Sequence, residues 1–475
     1  MRFLLSTVGS RGEAQPVIAL AVRLRALGHD AVVCAPPDFQ VWAESLGVEY
    51  VPVGPEVKGT AKAARGSVPT VQERRRMIEG TVAEQFRAVG AAAAGGCDAV
   101  VGGGALAIAA HSVAEALGVP YVYAAFAPIT LPSPHHAPPV FGMLGQSRTD
   151  GPVDAAALWA EDEQRWNALW RDPLNAQRER LGLTPVEDVR SHLFTGRPWL
   201  AADATLAPWP DPRDLPDPRD LPDLPDPRHL PEPRDLPEPR DLPEPRDLPD
   251  PRDLPEPPGL PEPRDLPAGA SPSDMSGASG LDVLQTGAWL LDDDRPLEPE
   301  LEAFLEAGEP PVYFGLGSTR APDGIAATML EAARALGRRV VVSRGWADLT
   351  DFSDASDCLG IGEVNQQALF PRVAAVVHHG GAGTTTVAAG AGTPQVVLPQ
   401  MFDQHYYAER VRRLGLGASV PPAADLRDAL ARALDAAPAA RAVAPTISRD
   451  GAQTAADHLL ARAASAPTPD ERAGS

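Results

Sequence analysis

Apolar positions along this chain fall into two alternating patterns, short continuous runs and longer stretches repeating with the period of a helix. Runs at 3–8, 31–35, 50–53, 99–101 and 119–124 read as strands buried on both faces. Between them, 16–27, 39–46, 71–94 and 105–117 carry helical spacing, and Gly28 ends the first of these helices. Residues 9–13, Gly-Ser-Arg-Gly-Glu, read as a turn. The alternation begins again at 312–316, with strands at 339–343, 358–361, 373–377 and 395–398 and helices over 300–307, 324–336, 425–436 and 454–463. The pattern predicts an α/β chain of two Rossmann-like domains, each a doubly wound parallel sheet.

The densest chemistry follows the strand at 373–377, where the chain reads His378-His379-Gly380-Gly381-Ala382-Gly383-Thr384 and then enters a helix. Glycines there let the backbone approach a ligand, and the N–H groups and threonine hydroxyls at 384–386 can donate to phosphate. After the next strand, Asp403-Gln404 opens a helix at the same carboxyl edge, where open α/β sheets bind their ligands. In the first half, a proline-rich loop at 131–139 contains His135 and His136 and leaves the same kind of edge. With the amphipathic helix near 158–170, it is a candidate acceptor wall or an ordinary surface loop. Asp292-Asp293-Asp294 has the D-x-D spacing of some metal-diphosphate sites, but its acidic, proline-flanked setting reads as a solvated charge run.

Composition adds a third segment. The 53 prolines concentrate between about 210 and 267, where a Leu-Pro-[Asp/Glu]-Pro-Arg unit repeats. Proline at that density forbids helix and sheet interiors, so 210–280 is expected to be an extended or disordered insert, either a functionless expansion or a tether for a protein partner. The expected division is an N-terminal domain over 1–209, the insert over 210–280, a last strand and linker over 281–310, a C-terminal domain over 311–465 and a disordered tail over 466–475. A formal charge of −22 gives no electrostatic reason to expect nucleic acid as a partner. Cys34, Cys97 and Cys358 stand singly, with no disulfide or zinc spacing. Neither a signal-peptide core nor a membrane-length apolar run is present, so the expected location is the cytoplasm.

The segments GSRGE (9–13), CAPPD (34–38), SVAEALGVPY (112–121), PWLAAD (198–203), QTGAW (285–289), IGEVNQQALF (361–370) and the block from HHGGAGTT to DQHYY resemble glycosyltransferases of the GT-B fold. The similarity is to the actinobacterial glycopeptide-antibiotic, vancomycin-group enzymes. It implies an inverting, metal-independent transfer of a hexose from a UDP- or dTDP-sugar to a hydroxyl of a small acceptor such as a glycopeptide aglycone. The nucleotide sugar is then a substrate, and no cofactor is implied. By matching positions, His379, Gly381, Gly383, Thr384 and Ser318 would meet the diphosphate, with Ser10 and Arg11 joining when the cleft closes. Val364 would meet the nucleobase, and Asp403 and Gln404 the sugar hydroxyls. Glu13, where the subgroup usually carries Asp, would be the base, with Asp403 the second candidate. Two further readings stay open: a sterol, lipid or macrolide acceptor, and a non-catalytic protein that only binds nucleotide sugars.

Overall fold

Two parallel sheets organise the chain in the computed structural model, which describes residues 1–58, 71–139, 154–209, 281–319, 324–345, 356–420 and 425–465. The expected insert over 210–280 and tail over 466–475 lie outside the described residues. The described residues form one compact unit. The first sheet contains β1 (Arg2–Thr7), β2 (Asp30–Ala35), β3 (Glu49–Pro52), β4 (Ala99–Gly103), β5 (Tyr121–Ala125), β6 (Trp199–Leu200) and β7 (Leu284–Gln285), ordered β3-β2-β1-β4-β5-β6-β7. The second contains β8 (Val312–Gly315), β9 (Val340–Ser343), β10 (Cys358–Ile361), β11 (Ala375–His378), β12 (Gln395–Val397) and β13 (Gly417–Ser419), ordered β10-β9-β8-β11-β12-β13. Both orders reverse direction once, between β1 and β4 and between β8 and β11. At such a switch point the flanking loops part and leave a crevice at the carboxyl edge.

The helices are α1 (Arg11–Ala26), α2 (Gln40–Ser45), α3 (Val71–Ala93), α4 (Ala110–Leu117), α5 (Ala155–Arg180), α6 (Val189–Phe194), α7 (Pro299–Glu306), α8 (Ile325–Ala335), α9 (Gln366–Leu369), α10 (Ala382–Gly390), α11 (Gln404–Arg413), α12 (Leu426–Asp435), α13 (Ala437–Val443) and α14 (Gly451–Ala464). None among the described residues is long and apolar enough to cross a membrane.

One difference from the sequence pattern matters for the site. Helix α1 begins at Arg11 rather than at Pro16, so Glu13 stands in its first turn and not in a preceding loop. Proline favours the first helical position, which made residue 16 look like the start. The stronger signal is Ser10 followed three residues later by Glu13, the spacing of a capping box. Ser10 is the N-cap, its Oγ accepting from the Gly12 N–H at 3.4 Å and donating to Glu13 Oε2 at 2.9 Å. Pro16 falls inside the helix, where the Gly12 carbonyl that loses its partner lies at an exposed residue.

The two sheets share packing. Val397, Tyr407 and Val411 belong to the same apolar cluster as Val100, Tyr123, Trp166 and Leu200. From α14, Ala452, Ala455 and Leu459 pack with Phe3, Val17 and Trp289, so the last helix of the chain completes the core beside α1. Polar bonds join the halves as well. Arg410, 3% exposed, donates to the Leu206 and Thr205 carbonyls at 2.8 and 2.7 Å. Asp203 fixes that turn by accepting from the Thr205 and Leu206 N–H groups, and its other oxygen accepts from the Ser448 N–H.

Candidate functional site

At the carboxyl end of β11 the two adjacent histidines have different roles. His378 is fully buried; its Nδ1 accepts from the Gly380 N–H at 3.1 Å, which leaves Nε2 to donate to Gln395 Oε1 at 2.9 Å. Gln395 in turn donates to the Thr385 carbonyl at 3.3 Å. His378 is therefore a brace that ties β11, β12 and α10 together. Burial holds its pKa down at about 3, so it stays neutral in this role.

His379 lies in a slot between two glycines. A Cβ on Gly381 would stand 2.6 Å from the His379 Nε2, and one on Gly317 would stand 2.9 Å from its Cε1. Gly317 also has φ 59°, the left-handed region that favours glycine. The imidazole Nδ1 is buried with no hydrogen-bond partner, and burial depresses the ring's pKa to about 4. Directly beyond it, Gly381 is the N-cap of α10 and offers no side chain to the helix, so the N–H groups of Ala382, Gly383 and Thr384 are left open. A neutral imidazole beside a bare helix N-terminus suits an anion.

The threonine hydroxyls do not all serve such a ligand as the sequence suggested. Thr385 Oγ1 donates to the Gly381 carbonyl at 2.9 Å and Thr386 Oγ1 to the Ala382 carbonyl at 2.8 Å. Both bond back into their own helix, a habit of threonine in helices. Ser318, half-buried, lies beside Gly317 on the loop after β8, whose Thr319 closes a turn onto the Leu316 carbonyl. Gly345 brings the loop after β9 against the same turn, because a Cβ there would stand 2.7 Å from the Gly317 carbonyl oxygen. Val364 sits in the loop between β10 and α9, packed on the apolar cluster beneath that end of the sheet.

After β12 the chain turns at Phe402, a non-glycine residue at φ 50°, and enters α11. Such a conformation costs about 1–3 kcal/mol and persists where the surroundings enforce it. Gln404 Oε1 accepts from the Gln400 and Met401 N–H groups at 2.8 and 3.1 Å, which leaves the Gln404 amide Nε2 as the free end of a fixed side chain. The carboxyl of Asp403 is pushed up to about 7, first by burial and then by the charge of Glu13. The two acids, one from each sheet, thus share one electrostatic environment. Burial also raises Glu13, and the Ser10 hydroxyl partly offsets that rise. Glu13 folds back across Gly9, where a Cβ would stand 2.7 Å from the Glu13 carboxyl carbon. Behind it, Tyr407 Oη donates to the Phe126 carbonyl at 3.2 Å.

Other candidates stand elsewhere. Arg11 makes an ion pair with Glu363 at 2.9 Å and lies over the Trp42 ring. His136 packs against Trp159 and Trp209, its carbonyl accepting from the Trp159 indole N–H at 2.8 Å, while the His135 N–H donates to Ser133 Oγ at 3.2 Å. Trp166 and Trp170 are core residues. Asp293 of the D-x-D stretch accepts from the Arg295 side chain. Among the described residues no cluster of three or more His, Cys, Asp or Glu has the placement of a metal site.

Residues 3–133 match the family described as the glycosyltransferase family 28 N-terminal domain, and 327–475 match the erythromycin biosynthesis protein CIII-like C-terminal domain. The chain is 43% identical to glycosyltransferase GtfE and 43% identical to vancomycin aglycone glucosyltransferase, both of Amycolatopsis orientalis, with 97% of each chain covered. It is 38% identical to dTDP-epi-vancosaminyltransferase of the same organism over 94% of this chain and 93% of that one. Among solved structures, spinosyn forosaminyltransferase SpnP superposes with a TM-score of 0.60 at 19% identity, covering 98% of this chain and 99% of that one. The calicheamicin glycosyltransferase CalG4 gives 0.58 at 17% over the same shares, and both have the same overall fold as this chain.

Proposed function

The chain belongs to the antibiotic glycosyltransferases of the vancomycin group and has their GT-B fold; on that premise we propose that it transfers a hexose from a UDP- or dTDP-sugar to a hydroxyl of a glycopeptide aglycone, with inversion and without a metal ion. The reading is supported by one arrangement: α10 opens at the carboxyl end of β11 with no side chain capping its N-terminus and with His379 in the slot between Gly317 and Gly381, while Glu13 stands in the first turn of α1, at the carboxyl end of β1.

In this mechanism the acceptor hydroxyl gives its proton to the Glu13 carboxylate as its oxygen attacks the anomeric carbon. The C–O bond to the diphosphate breaks on the opposite face, which inverts the configuration. The N–H groups of Ala382, Gly383 and Thr384, the neutral His379 and the Ser318 turn receive the charge that develops on the departing diphosphate. Ser10 and Arg11 add to that stabilisation from α1, and Arg11 must exchange Glu363 for phosphate to do so. Gln404 donates its Nε2 to a sugar hydroxyl, and Asp403 orients another. The longer reach of Glu13 relative to an aspartate is taken up by its fold across Gly9. His135 and His136, on the tryptophan-backed loop, face the acceptor. The location we assign is the cytoplasm.

Incubation with UDP-glucose or dTDP-sugars, with and without EDTA, tests this against a panel of glycopeptide aglycone, macrolide, sterol and lipid acceptors. Nucleoside diphosphate release that depends on the aglycone and is indifferent to EDTA is expected. Release stimulated only by another acceptor class moves the acceptor assignment, and loss in EDTA removes the metal-independent mechanism.

A further inference from the structure

Residues 363–367 take hold of two other parts of the molecule at once. Glu363 pairs with Arg11 of α1, two residues from Glu13. Asn365 Nδ2 donates to the carbonyls of Asp293 and Arg295 at 2.7 and 2.8 Å, and Gln367 Nε2 donates to the Leu291 carbonyl at 2.7 Å. Asn365 is 5% exposed, and its Oδ1 is occupied as well, capping α9 through the Ala368 N–H at 3.0 Å. The carbonyls it holds belong to the stretch that leads from Trp289, buried in the first-sheet core, to α7. Val364, the position read as the nucleobase contact, lies inside this bonded loop.

The bond types say which contacts are fixed. The Arg11–Glu363 pair is partly exposed, Glu363 more than Arg11, and exchangeable, of the kind worth at most about 1 kcal/mol. The bonds of the Asn365 amide are different, because that side chain is 5% exposed and breaking them strands its amide away from water, although the carbonyls it holds belong to half-buried Asp293 and exposed Arg295. The loop can release α1 when Arg11 finds a phosphate, yet it keeps its grip on the connecting stretch. Seating a base on Val364 therefore bears on the connection between the sheets.

We propose that Asn365, assisted by Gln367, is a positioning residue for transfer: it couples the donor loop to the 291–295 connection and so sets the donor's anomeric carbon against Glu13. This rests on the donor site read above. Misplacement of reacting groups by about 1 Å is enough to slow a reaction on the order of 100-fold, which is why a tie outside the chemistry can govern kcat.

Asn365→Asp isolates the tie, since a carboxylate keeps the cap on Ala368 but sets oxygen against the two carbonyls. Gln367→Glu does the same at Leu291. For Asn365→Asp the expected result is a kcat at least tenfold lower, a dissociation constant for UDP or dTDP within threefold of wild type, and faster amide exchange at 291–295. The double variant should be little worse than Asn365→Asp, because both changes cut one connection. A kcat within twofold of wild type overturns the proposal, as does a parallel loss of nucleotide affinity and melting temperature, which marks a purely structural role. If the wild type binds nucleoside diphosphate but transfers to no acceptor, the functional reading fails separately. The coupling is then read from exchange alone: slowing at 291–295 by UDP or dTDP in wild type but not in Asn365→Asp supports it, and indifference in both overturns it.

Discussion

Replacing Gly381 by alanine perturbs one imidazole and little else. At φ −65° and ψ 142° this N-cap is open to any L-residue, so the methyl group brings no left-handed strain. Alanine is a poorer N-cap than glycine, while glycine-to-alanine changes restrict the unfolded chain by about 0.4–1 kcal/mol; the two oppose, and stability should move by less than about 1 kcal/mol. The new Cβ, however, would stand 2.6 Å from His379 Nε2, where ordinary contact begins near 3.4 Å, so the ring must give way by about 0.8 Å. On its other side the ring already fills the space that a Cβ on Gly317 would need, at 2.9 Å, so the glycine there is what leaves it room. A hydrogen bond to a charged group is worth about 1.5–3 kcal/mol, and losing it corresponds to roughly 10- to 100-fold in affinity. Titration calorimetry with UDP and dTDP, beside thermal unfolding, reads both quantities. His379→Ala should weaken binding by a similar factor, and the double variant should be no worse than either, because the methyl group acts only through the ring. Gly317→Ala should add a stability loss of about 1–2 kcal/mol for its left-handed φ. A folded Gly381→Ala protein that binds nucleoside diphosphate within threefold of wild type would refute the assignment of His379 to the diphosphate.

Three further outcomes follow from the same contacts. Nucleoside diphosphate affinity should rise as pH falls through about 7, because Asp403 becomes neutral there, and Glu13→Gln should move that rise to lower pH by removing the charge that lifts Asp403; calorimetry across pH 6–8 checks both. The imidazoles of His111, His192, His378 and His379 are held below their ordinary range by burial, the last three down to about 2, 3 and 4, so they favour the folded state above pH 6.5 and oppose it as pH falls and the unfolded chain binds protons. Asp403, raised to about 7, acts oppositely, with the raised carboxyls of Glu13 and Asp162 in the same direction; the expected net is a urea midpoint that falls between pH 6.5 and 5, and one that climbed would mean the carboxyls outweigh the imidazoles. Arg410→Met should destabilise the fold by about 1–3 kcal/mol, as it strands the buried Leu206 carbonyl and frees the half-buried Thr205 carbonyl; a loss below about 0.5 kcal/mol in denaturant titration would show that water replaces the guanidinium.

Strands buried on both faces were legible because parallel sheets write them as continuous apolar runs, as in Val32-Val33 or Val376-Val377. The ligand-side turns were legible because glycines and polar residues interrupt those runs at fixed places. Short elements escaped: β6 has two residues and β13 three, too few for any period, and they are strands only because each has a neighbour to pair with, whereas β7 lies within the last strand expected after residue 281. The start of α1 was hidden by Pro16, although Ser10 and Glu13 carried the competing signal. Helix α5 continues through Pro173 to Arg180, beyond the stretch at 158–170 in which its amphipathic spacing was read. The bracing role of His378 was beyond reach of its pattern, since adjacent identical residues differ only in what the fold sets around them, and only the family resemblance singled out His379. The partners of Asn365 and Arg410 are backbone carbonyls distant in sequence, and a carbonyl has no letter of its own.

In the proposed mechanism Glu13 accepts the proton of an acceptor hydroxyl held against a donor bound at α10. Single-turnover transfer from saturating donor to glycopeptide aglycone, followed by mass spectrometry for wild type and Glu13→Gln, tests it most directly. A product heavier by one hexose is expected for the wild type, with a rate on the order of 100- to 10,000-fold lower for Glu13→Gln and donor affinity within threefold of wild type at pH 8. A Glu13→Gln enzyme that transfers within tenfold of the wild-type rate would contradict it and leave Asp403 as the remaining base.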